Sequence, residues 1–193
     1  MKTALQPDER LLRPLSAGVV PPEVVDAARA GDNGARCELY ERTAGRTYRL
    51  VVRMIGRTDA EDVLQQVYLK AFSTLRQFAA RSRIETWLYR IAVNESLQHL
   101  RRQRRKAAVT LDFEPMDDAS HHESSPDQAE LLEQALARLS PELRAVFVLR
   151  EVEKLSYREM AEALHMNEGT VASRLNRART LLKQYLVELG WEA

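Results

Sequence analysis

The chain has 193 residues, 29 Lys and Arg against 28 Asp and Glu, an apolar fraction of 45% and one cysteine, Cys37. That length allows one domain or two small ones with a real core, and seven Gly and seven Pro are too few for a fibrous or low-complexity chain. A lone cysteine excludes an internal disulfide, and the absence of an apolar run of signal or membrane-helix length points to a protein of the reducing cytoplasm.

The net charge of +1 hides a strong segregation. Residues 23–106 hold 17 basic and 10 acidic side chains, whereas residues 107–130 hold seven acidic ones and no Lys or Arg. The remainder balances. A basic block, an acidic strip and a mixed block describe two domains and a linker. Ala, Leu, Arg and Glu dominate, so the expected fold is all-α: two small helical domains joined by a flexible acidic linker.

Residues 1–22 lack periodicity and contain Pro7, Pro14, Pro21 and Pro22, the composition of a disordered tail. A short helix is expected over 23–30, stopped by Gly31. Asp32 or Asn33 then caps a longer helix that ends near Ile55 at Gly56. Cys37 sits among helix formers and is expected to be a buried small side chain rather than a reactive thiol. Thr58 and Glu61 read as a capping box. Behind them Val63, Leu64, Val67, Tyr68, Ala71, Phe72 and Leu75 recur at helical spacing. The other face carries Asp59, Glu61, Asp62, Gln65 and Gln66. Acids and amides there suit either a solvated helix start or a surface for a partner.

Residues 78–83 form a loop in which Ser82 can cap the next helix, over about 84–106. Ile84, Trp87, Leu88 and Ile91 make one apolar stripe, and Val93, Leu97 and Leu100 rotate onto another. Arg90, Asn94 and Gln98 line a polar stripe that runs into Arg101, Arg102, Arg104, Arg105 and Lys106. Five cations in six residues exceed what a helix C-terminus needs, and contact with backbone phosphates accounts for them better. Trp87 is expected in the core, and Tyr89 is the better candidate for stacking on a base. The acidic strip at 107–125 contains His121 and His122, without the spacing or supporting ligands of a metal site. No metal or cofactor is expected.

In the last third, Ser125-Pro126 and Ser140-Pro141 each place proline just after a capping serine, the start of a helix. From Leu155 the chain reads LSYREMAEALHMNEGTVASRLNRARTLL. Ser156 and Glu159 form a capping box, and Met160, Ala161 and Leu164 give a short apolar face. Asn167 is an N-cap for a second helix with the buried stripe Val171, Leu175, Ala178 and Leu182. Its other face bears Thr170, Ser173, Arg174 and Arg177. A short helix, a tight turn and a longer helix with a basic, hydroxyl-bearing face is the pattern of a helix-turn-helix whose second helix enters a major groove. No grouping of acid, base and nucleophile appears, so an enzyme is not expected.

These residues together resemble the extracytoplasmic-function sigma factors of the sigma-70 family, over residues 23–186. The stretch from Asp59 to Gln66, DAEDVLQQ, is similar to region 2.2, and that from Thr86 to Asn94, TWLYRIAVN, to the start of region 2.4. Leu139-Ser140-Pro141-Glu142-Leu143-Arg144 and the stretch from Leu155 are similar to region 4. The resemblance implies an initiation factor that binds core RNA polymerase at its β′ clamp and β flap and directs it to promoter DNA. It implies that Asp59, Glu61, Asp62, Gln65 and Gln66 dock on the clamp. It assigns Phe78, Arg81, Ser82, Tyr89, Arg90, Asn94, Arg101, Arg102 and Arg105 to the opened −10 element. Asn167, Thr170, Ser173, Arg174 and Arg177 would read the −35 duplex. The acidic linker would lie in the polymerase RNA-exit region. An inhibitory anti-sigma factor, commonly at a membrane, is a further implied partner, with no membrane insertion by this chain itself.

Four positions depart from the family pattern. Ala79-Ala80-Arg81-Ser82 stands where an Arg-Gly-Asp-Ser-like loop is frequent, and Gln66 where glutamate is common. His165 holds a turn position usually taken by glycine, which histidine tolerates better than most residues. Ala172 replaces a frequent lysine. Two rival readings are a sigma mimic that sequesters an anti-sigma factor and a plain helix-turn-helix repressor. The mimic has no use for Arg101 to Lys106, and the repressor none for the Trp87 helix. Replacing Arg174 and Arg177 together by alanine is expected to weaken duplex binding and to flatten its salt dependence, by a slope of about 1 for each phosphate no longer held. Anisotropy titrations at several salt concentrations measure both effects.

Overall fold

The computed structural model describes residues 19–109 and 128–191, all helix, turn or loop. The expected tail therefore lies outside the described residues up to position 18, and the acidic linker from position 110 onward. Helix α1 is Pro22–Ala30, with proline in its first turn, and Gly31 ends it at φ 104° in the left-handed region that favours glycine. Helix α2 is Asn33–Ile55; the Asp32 carboxylate caps it by accepting from the Ala35 amide at 2.6 Å. Helix α3 is Ala60–Thr74, followed by a 3-10 turn, Leu75–Gln77. Helix α4, Ile84–Val109, runs three residues past the expected end at Lys106. These four helices form the N-terminal lobe.

The tyrosine of the α3 apolar stripe sits at the centre of that lobe. Tyr68 is 5% exposed, with its ring 4.7 Å from Tyr40 and 5.8 Å from Phe72. Its hydroxyl lies 2.7 Å from the Thr43 hydroxyl, which itself donates to the Leu39 carbonyl at 2.6 Å. Thr43 has one proton to give, so Tyr68 donates to Thr43. Burial, only partly offset by the Thr43 and Thr47 hydrogen bonds, pushes the phenol pKa up to about 12. Neutral Tyr68 thus joins α3 to α2.

The C-terminal lobe contains α5 (Gln128–Arg138), α6 (Pro141–Glu151), α7 (Tyr157–Leu164) and α8 (Glu168–Glu188). Ser140 caps α6 by accepting from the Leu143 amide, with Pro141 at the first helical position. Both halves of the Ser156–Glu159 capping box are formed at α7. His165 ends α7 at φ 52° and ψ 47°, the left-handed turn anticipated for it. The Asn167 side chain then accepts from the Thr170 amide at 2.7 Å to start α8. Val171, Leu175, Ala178 and Leu182 are all buried, as their spacing requires.

The two lobes do more than sit at either end of a linker. One continuous core of buried residues runs from Leu50, Val51 and Met54 in the first lobe to Val146, Leu149, Met160 and Leu175 in the second. A second, smaller core packs α5 and α6 on the far half of α8, around Leu136, Leu139, Leu143, Ala178 and Leu182. Arg144 of α6 lies between them. It is 8% exposed, and its Nη1 donates to the Met54 carbonyl near the end of α2 at 2.6 Å. Its Nη2 donates to the Ala137 carbonyl at the end of α5, also at 2.6 Å.

Two expectations are corrected here. Thr58 and Glu61 form no capping box, because α3 starts one residue later, after Asp59, and no side-chain cap bond is made there. Cys37 is exposed, because its position on α2 points away from the face that buries Leu39. Tyr68→Phe should cost about 1 kcal/mol, the net worth of one buried hydrogen bond, and lower the melting temperature by roughly 2–4 °C. Raising pH toward the shifted phenol value should destabilise the native chain, and Tyr68→Phe should remove that component. Thermal melts between neutral and alkaline pH check both.

Candidate nucleic-acid interface

On α3 the buried and exposed positions separate as two pairs on and two pairs off. Val63, Leu64, Val67 and Tyr68 face the core, and Glu61, Asp62, Gln65 and Gln66 face solvent. Leu69 continues that outer face and is 60% exposed. The sequence analysis did not single it out, although its spacing from Gln65 and Gln66 places it on this face. Asp59 differs from these neighbours: its carboxylate accepts from Gln103 Nε2 at 2.7 Å and lies 3.1 Å from His99 Nε2. Asp59 thus ties the start of α3 to α4.

The loop at 78–83 is built on Phe78, whose ring packs on Trp87 at 5.4 Å between centroids. Phe78 is 5% exposed, so it anchors the loop and offers no ring face for stacking. Arg81 is exposed and Ser82 half-buried. The first backbone bond of α4 runs from the Trp87 amide to the Arg83 carbonyl, one residue beyond Ser82. Ala80 holds a left-handed φ of 52°, at the position of the glycine in the family's frequent loop. A Cβ there costs on the order of 1–2 kcal/mol, which glycine would avoid. The loop borders an open groove of about 260 Å³ with Val19, Val25 and Ile84 on its walls and Arg83 and Glu85 among its polar groups.

Along α4, Asn94, Arg101, Arg102 and Arg105 are exposed and Arg90 is half-buried. Asn94, Gln98 and Arg101 share an open cleft of about 220 Å³ with Lys70 of α3. Lys70 adds a cation to this polar stripe from a different helix, which no spacing rule could reveal. Tyr89 is only 4% exposed. Burial raises its pKa strongly, and the negative charge of Glu153, in the loop between α6 and α7, raises it further. In this arrangement the expected base-stacking ring is covered.

In the helix-turn-helix, Ser173 and Arg177 are exposed on the outer face of α8, and Thr170 and Arg174 are half-buried. Arg174 Nη1 reaches back to Met166 Sδ at 3.2 Å. Arg179 instead binds Glu151 of α6 through Nε at 3.1 Å, and that bond raises its pKa. Asn167 is exposed and already committed to capping α8. The Glu159 pKa is lowered, chiefly by the Ser156 backbone amide it accepts from. Among the described residues no cluster of His, Cys, Asp and Glu could hold a metal ion, and no helix is long and apolar enough to cross a membrane.

Comparison with known proteins points in one direction. The family described as Sigma-70 region 2 matches residues 39–106, and that described as Sigma-70, region 4 matches residues 129–182. The chain is 32% identical to an ECF RNA polymerase sigma-E factor of Haemophilus influenzae, over 86% of this chain and 95% of that protein. Its fold is similar to the sigma factor RpoE in complex with the anti-sigma factor NepR from Bartonella quintana, with a TM-score of 0.66, 22% identity, and coverage of 80% of this chain and 98% of that one. It is also similar to CnrH in complex with the cytosolic domain of CnrY, with a TM-score of 0.64, 26% identity, and coverage of 88% and 98%.

The observed capping role of Asn167 can be separated from the duplex contact expected of it. Asn167→Asp keeps a good cap and adds a charge that phosphates repel, so the melting temperature should hold while duplex affinity falls. Asn167→Ala should cost about 1 kcal/mol of stability as well. Thermal melts and duplex titrations on the two variants make the comparison.

Proposed function

The chain belongs to the extracytoplasmic-function group of the sigma-70 family, and on that premise we infer how its surfaces divide the work of a promoter-recognising RNA polymerase sigma factor. The observation that carries the reading is the coexistence of three chemically distinct faces on one chain. The acid-and-amide face of α3, with Glu61, Asp62, Gln65, Gln66 and the exposed Leu69, is the docking surface for core polymerase. Asp59 supports that face by holding α3 against α4.

The second face is basic. Arg81, Asn94, Arg101, Arg102 and Arg105, joined by Lys70, hold the phosphates and base edges of the opened −10 strand. Contacts with these cations and amides stabilise the opened strand through binding energy. The third face is the outer surface of α8, where Ser173, Arg174 and Arg177, with Thr170 at its start, enter the major groove of the −35 duplex. The protein is a non-catalytic initiation factor that works in the cytoplasm with the polymerase.

An anti-sigma factor is the second partner. The RpoE fold relative is captured with the anti-sigma factor NepR, and CnrH with the cytosolic domain of CnrY. Run-off transcription with core polymerase on a library of upstream sequences tests the proposal. Transcripts should start downstream of one shared pair of elements, and Arg101→Ala with Arg102→Ala should reduce open-complex formation more than duplex binding. Absence of any promoter-dependent transcript would contradict it.

A further inference from the structure

Between Phe78 and Ile84 the chain belongs to no helix, and Ala80 is held at a left-handed φ of 52°. A loop strained in this way keeps one conformation only where its surroundings fix it. The Phe78 ring on Trp87 fixes the first end. Glu85, in the first turn of α4, fixes the second. Its Oε1 accepts from the Val20 amide at 3.2 Å and pairs with Arg83 Nη2 at 3.5 Å. Val20 lies 65 positions earlier, just ahead of α1, so this bond ties that segment to the loop.

Stability does not account for the arrangement. Glu85 is 8% exposed, and its Oε2 is buried without a hydrogen-bond partner among the described residues. Such a carboxylate costs the fold its lost hydration. The ion pair returns little, because the Arg83 side chain is 54% exposed and water screens its charge. The pair does supply order in a long cation. A guanidinium already held in place loses less rotamer freedom when it takes a phosphate. With Nη2 on Glu85, more than half of the Arg83 side chain still faces solvent at the edge of the loop.

We propose that Glu85 positions Arg83 as a phosphate clamp that sets the register of the −10 strand on the 78–83 loop. This rests on the assignment of that loop to the −10 strand. Arg83 touches the strand, and Glu85 acts through Arg83 while the Val20 amide holds the carboxylate. Phosphate contacts fix register and base contacts read it, so a loosened clamp blurs the reading more than it weakens the hold.

The test uses holoenzyme assembled from core polymerase and the full chain. Its affinity is measured for a single-stranded oligonucleotide carrying the −10 element found by run-off transcription. The same strand with its most strongly selected −10 base replaced is measured beside it. Glu85→Gln keeps an acceptor for the Val20 amide and removes the charge that holds Arg83. The ratio of the two affinities should fall about fivefold in Glu85→Gln and in Arg83→Ala, with no further fall in the double variant. The melting temperature of Glu85→Gln should hold. An unchanged ratio in either single variant would overturn the proposal, as would a further fall in the double variant or a lower melting temperature in Glu85→Gln. A change in affinity shared equally by the two strands counts against it too, since that marks a general charge effect. Failure of the underlying assignment looks different. In that case the unmodified holoenzyme would bind the two strands equally.

Discussion

A buried guanidinium with no carboxylate partner among the described residues ties the two lobes together. Arg144 gives its protons to carbonyls at the ends of two helices, Met54 of α2 and Ala137 of α5. Helix C-termini carry unpaired carbonyls and the negative end of the macrodipole, so one fork-shaped cation satisfies two of them. Burial lowers its pKa and nearby Arg104 adds to that, but an arginine stays charged at any pH the fold survives. Without it, two helix ends would face each other across the junction of the lobes with their carbonyls unmet. Its position explains why the core continues from one lobe into the next.

That junction gives the charge pattern of the sequence its meaning. Acids and amides gather on α3, away from the junction, and cations gather along the far half of α4 and the outer face of α8. A chain of nearly zero net charge therefore carries one acid-and-amide surface and two basic ones. Most of these cations sit on long helices, which fixes their spacing along one face.

Local chemistry made much of this legible. Asp32, Ser140, Ser156 with Glu159, and Asn167 cap the helices that their positions announce, because a cap depends on neighbours within four residues. His165 takes the left-handed turn for the same local reason. The stripe Val171, Leu175, Ala178 and Leu182 is buried as helical periodicity requires. Where the reading fell short, distant groups decided the outcome. Asp59 turned to Gln103 and His99 on α4, and Thr58 was left without a capping role. Tyr89 looked like a half-polar surface ring, yet a loop more than sixty positions away covers it. Phe78 is spent on Trp87. Cys37 lies on the outer side of a helix whose apolar periodicity is weak. Periodicity also shows that Arg144 is on α6, but nothing local shows that its partner belongs to the other lobe.

Docking of the chain on core polymerase through α3 is the interaction on which the proposed division of surfaces turns. Equilibrium binding of the purified chain to core polymerase freed of its own specificity subunit measures that directly. Binding should be saturable and one-to-one, and charge reversal at Asp62 should weaken it at least tenfold, while Arg177→Ala leaves it unchanged. A core enzyme that ignores the chain, or binds the Asp62 variant equally well, would contradict it.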